Sequence, residues 1–353
     1  MMDSLMSDFE TFTNSWWPYI ISLIISIISA IRFYVAGTYC DSPVRIDGKT
    51  VIITGSSGGV GFETAKELVK RGATVILAVR NGEKGLRALE RIKWIKNDAK
   101  IQVKLLDVSE FSSIRNFVDQ INDEYAKIDI LINNAGIIRD NSKEIGKFGE
   151  NGSDTFLTNY LGPFLLTHLL LPLLKKSDNG RVINVSALAH FNGKLDLDFG
   201  KNSAPLVAFA DSKLALTMFT KYMAQLHNNT KITFNSVSPG LVRNTGHISN
   251  YSNLGTSFLT KFAVWPWLWL FLKTPYQGSQ TVIYLAVEPK LHRVSGCYFS
   301  DCEIKEPADI VNDLTAAKSL YEASCKVVDC ETEDLTFTEK YETECTSKIS
   351  LQK

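Results

Sequence analysis

Apolar and polar positions change period several times along this chain of 353 residues, and the changes divide it into elements. From Trp16 to Gly37 nearly every position is apolar, with Arg32 the one charge. Residues 38–48, with Pro43 and Gly48, break that run and read as a linker. Beyond it, short β-branched runs alternate with segments whose apolar residues recur at helical spacing. Thr50–Thr54, Thr74–Val79, Ile101–Leu106, Asp129–Ile132, Arg181–Val185 and Ile232–Val237 read as strands, and Phe62–Arg71, Lys84–Ile95, Ser112–Tyr125, 154–174 and 205–227 as helices. Strands apolar on both faces, each followed by a helix, predict βαβ units. The expected fold class is α/β: a Rossmann-type doubly wound parallel sheet in a single domain at 49–326, behind a transmembrane anchor at 16–37. An N-terminal segment (1–15) precedes the anchor, and a charged, polar tail (327–353) follows the domain.

Twenty residues of helix rise about 30 Å, the depth of a bilayer core. Trp16, Trp17 and Tyr19 at one end and Tyr34 and Tyr39 at the other suit interfacial anchoring, and Arg32 is expected to snorkel to the interface. A cleaved signal peptide is the competing reading. Against it stand Asp3, Asp8 and Glu10 in a segment without Lys or Arg, and an apolar run longer than an h-region. The flanking positives Arg32, Arg45 and Lys49 all lie C-terminal, which places the main domain in the cytosol. A lumenal domain would instead present Asn151, Asn228 and Asn250 as glycosylation acceptors.

With 38 basic and 38 acidic residues the net charge is zero, which argues against nucleic acid as a partner. Six cysteines without a Cys-x-x-Cys pair, and five scattered histidines, give no metal site and suggest reduced thiols.

The turn Thr54-Gly-Ser-Ser-Gly-Gly-Val-Gly61 lies between a strand and a helix, where Gly55, Gly59 and Gly61 permit close approach to a pyrophosphate; Ser57 and Val60 belong to the same turn. Arg80 after the second strand suits a 2′-phosphate and so NADP(H), unless it is simply a solvated arginine. Asp107 and Val108 end the third strand beside the expected adenine. Asn133-Asn134-Ala135-Gly136 closes the fourth, and Pro239-Gly240 closes the strand after 232.

Together with Asn159 in Thr158-Asn-Tyr-Leu-Gly162 and the outline Phe209-Ala-Asp-Ser-Lys213, these motifs resemble the short-chain dehydrogenase/reductase family over residues 48–305. Phe164–Leu170, Asn184–His190, Lys273–Thr281 and Tyr298–Cys302 look like its membrane-bound retinol dehydrogenases. The resemblance implies NADP(H), an endoplasmic-reticulum membrane, and a lipophilic substrate such as a retinoid whose carbonyl is reduced. It also implies a catalytic Tyr, a Ser, a Lys that grips the nicotinamide ribose, and an Asn that holds a relay water. Lys213 and Asn159 match; Phe209 stands for the Tyr and Ala187 for the Ser. Losing the acid removes about 10²–10⁴ in rate. Ser186, Ser212 and Tyr160 are the nearby hydroxyls, and all three are expected to point elsewhere.

Oxidoreductase activity on lipid carbonyls is therefore expected to be weak or lost. The rival expectation is a non-catalytic NADP(H)- or lipid-binding pseudoenzyme acting through protein partners, which leaves a homo- or hetero-oligomer open. Leu241–Leu259 reads as a substrate lid. Phe262–Leu272, too short to span, reads as a membrane-surface dip, a buried core helix or a dimer contact.

Overall fold

The computed structural model describes residues 13–139, 153–201, 203–243, 267 and 269–331. The lid expected at Leu241–Leu259 falls largely outside them, as do Asn151, Asn250 and most of the tail.

Eight strands make one sheet: β1 (Thr50–Thr54), β2 (Thr74–Val79), β3 (Ile101–Leu105), β4 (Ile130–Asn133), β5 (Gly180–Val185), β6 (Ile232–Ser238), β7 (Tyr298–Ser300) and β8 (Glu303–Lys305). Their spatial order is β3-β2-β1-β4-β5-β6-β7-β8, parallel throughout except for the antiparallel β7–β8 pair. In β1, β4, β5 and β6 nearly every residue is buried, which is why their sequence reads as unbroken apolar runs rather than alternation. The order reverses between β1 and β4, and ligands bind beyond the carboxyl ends of strands at such a switch point.

Helices α2 (Gly59–Lys70), α3 (Gly82–Ile95) and α7 (Pro275–Val287) cover one face. On the other lie α4 (Phe111–Glu124), α5 (Asp154–Lys175), α6 (Pro205–Leu226) and α8 (Leu314–Val328). α5 is long and apolar enough to cross a membrane, but its apolar window is 83% buried, so it is a core helix. Its Leu157–Leu161 turn is π-helical and carries Asn159.

Sequence periodicity did not foresee α7, α8, β7 or β8. α7 starts at a capping box between Thr274 and Gln277 with Pro275 in its first turn. β7 and β8 are three residues each, too short for alternation, and are joined by Asp301 and Cys302 at positive φ. α1 (Trp17–Ala36) precedes the sheet and is mostly exposed, with Pro18, Ile31, Arg32 and Val35 half-buried and Ala36 buried. The Arg32 guanidinium donates to the backbone carbonyls of Trp269, Leu270 and Leu272. Cys40, Cys302, Cys325 and Cys330 are free thiols, whereas Cys297 is disulfide-bonded, against the expectation of reduced thiols throughout.

Candidate active site

β1 delivers the chain to a turn that packs against the end of β4. Gly55 has φ +65°, and a Cβ there would meet Ala135 Cα at 2.9 Å; one at Gly61 would meet Asn134 Nδ2 at 2.5 Å and Gly55 O at 2.8 Å. Side chains at either position would pry the turn from β4. Thr54 locks the contact from behind, its Oγ1 accepting the amides of Asn134 (3.0 Å) and Ala135 (2.9 Å). Asn134 Nδ2 returns a bond to Thr54 O at 2.9 Å. The N-cap of α2 is Gly58, which offers no capping side chain, so the first amides of α2 are left for a ligand.

Beyond this turn opens a cavity of about 600 Å³. Ser57, Gly59, Val60, Arg80, Asn134, Gly136, Pro239 and Gly240 line one part of it; Ala187, Phe209 and Lys213 line another. A smaller cavity of about 200 Å³ shares Ser57, Arg80 and Gly136 and adds Gly55, Asp107, Val108 and Ala135. Thr54 and Gly61 line neither; they shape the turn. Both cavities are also lined by Lys84, which the sequence reading passed over. Asn81 caps α3 by accepting the Lys84 amide at 2.9 Å, so Lys84 sits in the first helical turn beside Arg80. The spacing Arg80-Asn-Gly-Glu-Lys84, a cap followed by a cation one turn on, was the available signal.

Lys213 is 3% exposed. Its Nζ donates to Val185 O at 2.8 Å and stands over the Phe209 ring. Burial without a carboxylate partner pushes its ammonium down to about 8. Asn159 lies outside the cavity lining, fully buried. Its side-chain amide exchanges two bonds with the Ile137 backbone (2.7 and 2.9 Å) and donates to Ser212 Oγ at 3.1 Å. It thus ties the segment following β4 to α6 rather than presenting itself to the cavity.

The neighbouring hydroxyls are occupied. Ser186 Oγ donates to Lys213 O at 3.1 Å and pairs with Thr217 Oγ1. Ser212 Oγ donates to Phe209 O at 2.8 Å; it avoids the cavity as expected, but its bond to Asn159 was not foreseen. Tyr160 shares a bond of 2.8 Å with Ser324, and burial raises its phenol far above the ordinary range. His190 accepts the Ala308 amide on Nε2, which leaves its proton on Nδ1 toward Ala187 O; burial lowers its pKa. Among the described residues no phenol lines the cavity.

The profile of the short chain dehydrogenase family matches residues 49–253. Retinol dehydrogenase 13 of Mus musculus is 37% identical over 303 residues, covering 84% of this chain and 89% of that protein. Retinol dehydrogenase 12 of Homo sapiens is 36% identical over 311 residues, covering 87% and 95%. Among solved structures, a short-chain dehydrogenase of Shigella flexneri complexed with NADP superposes with a TM-score of 0.59 at 25% identity, over 74% of this chain and 100% of that one. One from Escherichia coli CFT073 complexed with NADPH gives 0.57 at 25% identity, over 73% and 98%.

Proposed function

The chain belongs to the short-chain dehydrogenase/reductase family, and from that premise we propose a membrane-held, NADP(H)-binding protein with a retinoid-type lipophilic ligand and a slow or silent catalytic step. By family it is a retinol dehydrogenase-like oxidoreductase. A nicotinamide cofactor accords with the family and with the ligands of its structural neighbours. The observation that carries the proposal is that one cavity joins Arg80 and Lys84 to Phe209 and Ala187. Its phosphate end is furnished, and at its reacting end Phe209 and Ala187 bring no hydroxyl.

In this reading the free amides of α2 hold the pyrophosphate, and Asp107 and Val108 flank the adenine. Arg80 and Lys84 take the 2′-phosphate, which favours NADP(H) over NAD(H). When bound, the cofactor supplies or accepts the hydride. Lys213 turns from Val185 O to the nicotinamide ribose, and Asn159 positions α6. Phe209 and Ala187 then wall the place of the ligand's oxygen without donating a proton to it. At the mouth, Leu188 and Leu241 are 43% and 62% exposed, an apolar rim suited to a lipid. α1 spans the membrane once, with the endoplasmic reticulum as its site and the main domain cytosolic.

The test is the purified full-length protein, assayed for NADPH binding by calorimetry and for retinal-dependent NADPH oxidation. Tight binding with negligible oxidation supports the proposal, and turnover in the ordinary enzyme range of about 1–10³ s⁻¹ refutes the silent step. For topology, a glycosidase-sensitive mass shift at half-buried Asn228 would overturn the cytosolic placement.

A further inference from the structure

Arg32 lies four residues before Ala36, the last residue of α1, so it sits about 6 Å inside the end of that helix. Its Nη1 donates to the carbonyl oxygens of Trp269 (2.9 Å), Leu270 (3.3 Å) and Leu272 (2.9 Å), and its Nη2 reaches Gln277 Oε1 at 3.5 Å. Its Cζ is 5.3 Å from the centroid of the Trp269 ring. Residues 267 and 269–271 are helical, and the carbonyls that Arg32 collects are the unsatisfied, negatively polarised C-terminal ones of that segment. A second tie lies just beyond α1, where the Cys40 amide donates to Gln280 Oε1 at 3.2 Å and the Tyr39 and Tyr276 rings are 6.0 Å apart. The segment is thus clamped alongside the anchor at the depth of Arg32.

What it presents outward is apolar and uncovered. Trp267 is 63%, Trp269 38% and Phe271 48% exposed, with the Trp267 and Phe271 rings stacked at 6.1 Å. The segment leads straight into the cavity wall. Lys273 N donates to Leu241 O at 2.8 Å and Arg243 N to Lys273 O at 2.9 Å, and Leu241 and Val242 line the cavity.

A helix about 6 Å inside the end of a spanning element lies at the headgroup–acyl boundary, where Trp and Phe bury favourably. We propose that the helical segment ending at Phe271 seats in that boundary of the bilayer crossed by α1, holding the Leu241 side of the cavity mouth against the lipid from which its ligand is drawn. The proposal rests on reading α1 as a membrane anchor, and continuity with α1 is what selects lipid as the occupant.

The experiment uses full-length protein in nanodiscs with phospholipids brominated near the headgroup end of the acyl chain. One version carries Trp16→Phe, Trp17→Phe, Trp94→Phe and Trp265→Phe, so that only Trp267 and Trp269 emit. A companion version emits only from Trp16 and Trp17. Loss of most emission in both versions is the expected result. Quenching of the companion alone overturns the seating and leaves the anchor standing; quenching of neither overturns both. A mutation-free arm uses the unmodified protein with a phospholipid bearing a headgroup diazirine. Cross-links on the peptide containing Trp267–Phe271 support the seating, and cross-links confined to α1 sink it.

Discussion

Lys213 Nζ stands 5.8 Å from the centroid of the Phe209 ring, one turn away on α6. The ring keeps the bulk that shapes the cavity wall, and its face attracts the ammonium by about 0.5–2 kcal/mol. What the pair lacks is a titratable oxygen. A phenol in that place would be held below its ordinary pKa of about 10 by the same ammonium. Phe209 offers that ammonium a ring face and no oxygen.

Restoring the two oxygens is the direct test of this deficit. Phe209 and Ala187 both line the cavity, so Phe209→Tyr with Ala187→Ser places both hydroxyls inside it. Retinal-dependent NADPH oxidation is expected to rise by about 10²–10⁴. Each single reversion should recover less, because groups acting as a unit are not additive. Equal steady-state rates in parent and double variant would mean that another group moves the proton.

Lys213 also makes a pH prediction. Its pKa falls from 10.5 to about 8 on burial, so between those values the unfolded chain binds more protons than the cofactor-free native one. Stability must therefore rise with pH across that window, and the cost of the buried charge is fully present below about 8. At 1.36 kcal/mol per unit the ceiling is roughly 3 kcal/mol. Lys213→Met should abolish this contribution. Urea midpoints of the two proteins at pH 7.5 and 10 measure it as the difference of differences, and parallel pH profiles would show that Lys213 titrates normally.

The sheet was legible in the sequence because β1, β2, β5 and β6 are β-branched runs bounded by turn residues, and their observed limits lie within a residue of those expected. Turn glycines marked the cavity for the same reason: Gly55 and Gly61 are fixed by approaches that no side chain allows. Lys84 was missed because a cation in a first helical turn resembles any solvated residue until Asn81 caps the helix and turns it over the cavity. Asn159 shows the opposite case. Its motif marks the position, but only packing reveals that both ends of its amide are consumed by Ile137 and Ser212. The contacts of Arg32 could not be read from the sequence, since its partners lie more than 230 positions along the chain.

Cofactor preference depends on Arg80 and Lys84. Both line the two cavities, and the proposed reading assigns them the 2′-phosphate. A hydrogen bond to a charged group contributes about 1.5–3 kcal/mol. Arg80→Ser or Lys84→Ser should each weaken NADPH binding by roughly 10–100-fold and leave NADH binding almost unchanged. Calorimetric titration with both nucleotides decides it, and an equal loss for NADH would place these cations elsewhere on the dinucleotide.

Gly162 and Gly58 form a contrasting pair for the adenine and phosphate ends. A Cβ at Gly162 would stand 2.0 Å from Val108 O, a backbone atom that cannot swing aside, and Val108 lines the smaller cavity. Gly162→Ala must shift α5 from the end of β3, so a loss of about 1–3 kcal/mol is expected. Melting should fall by several degrees, with weaker NADPH binding alongside. A Cβ at Gly58 would meet nothing within 4 Å, and φ there is −168°, so the folded protein tolerates it. That open space belongs to the larger cavity. Gly58→Ala should therefore leave the melting temperature in place and weaken NADPH binding, because the added methyl occupies room needed by the pyrophosphate. Calorimetric melting with nucleotide titration separates the two effects; undiminished binding by Gly58→Ala would show that the pyrophosphate does not approach this turn.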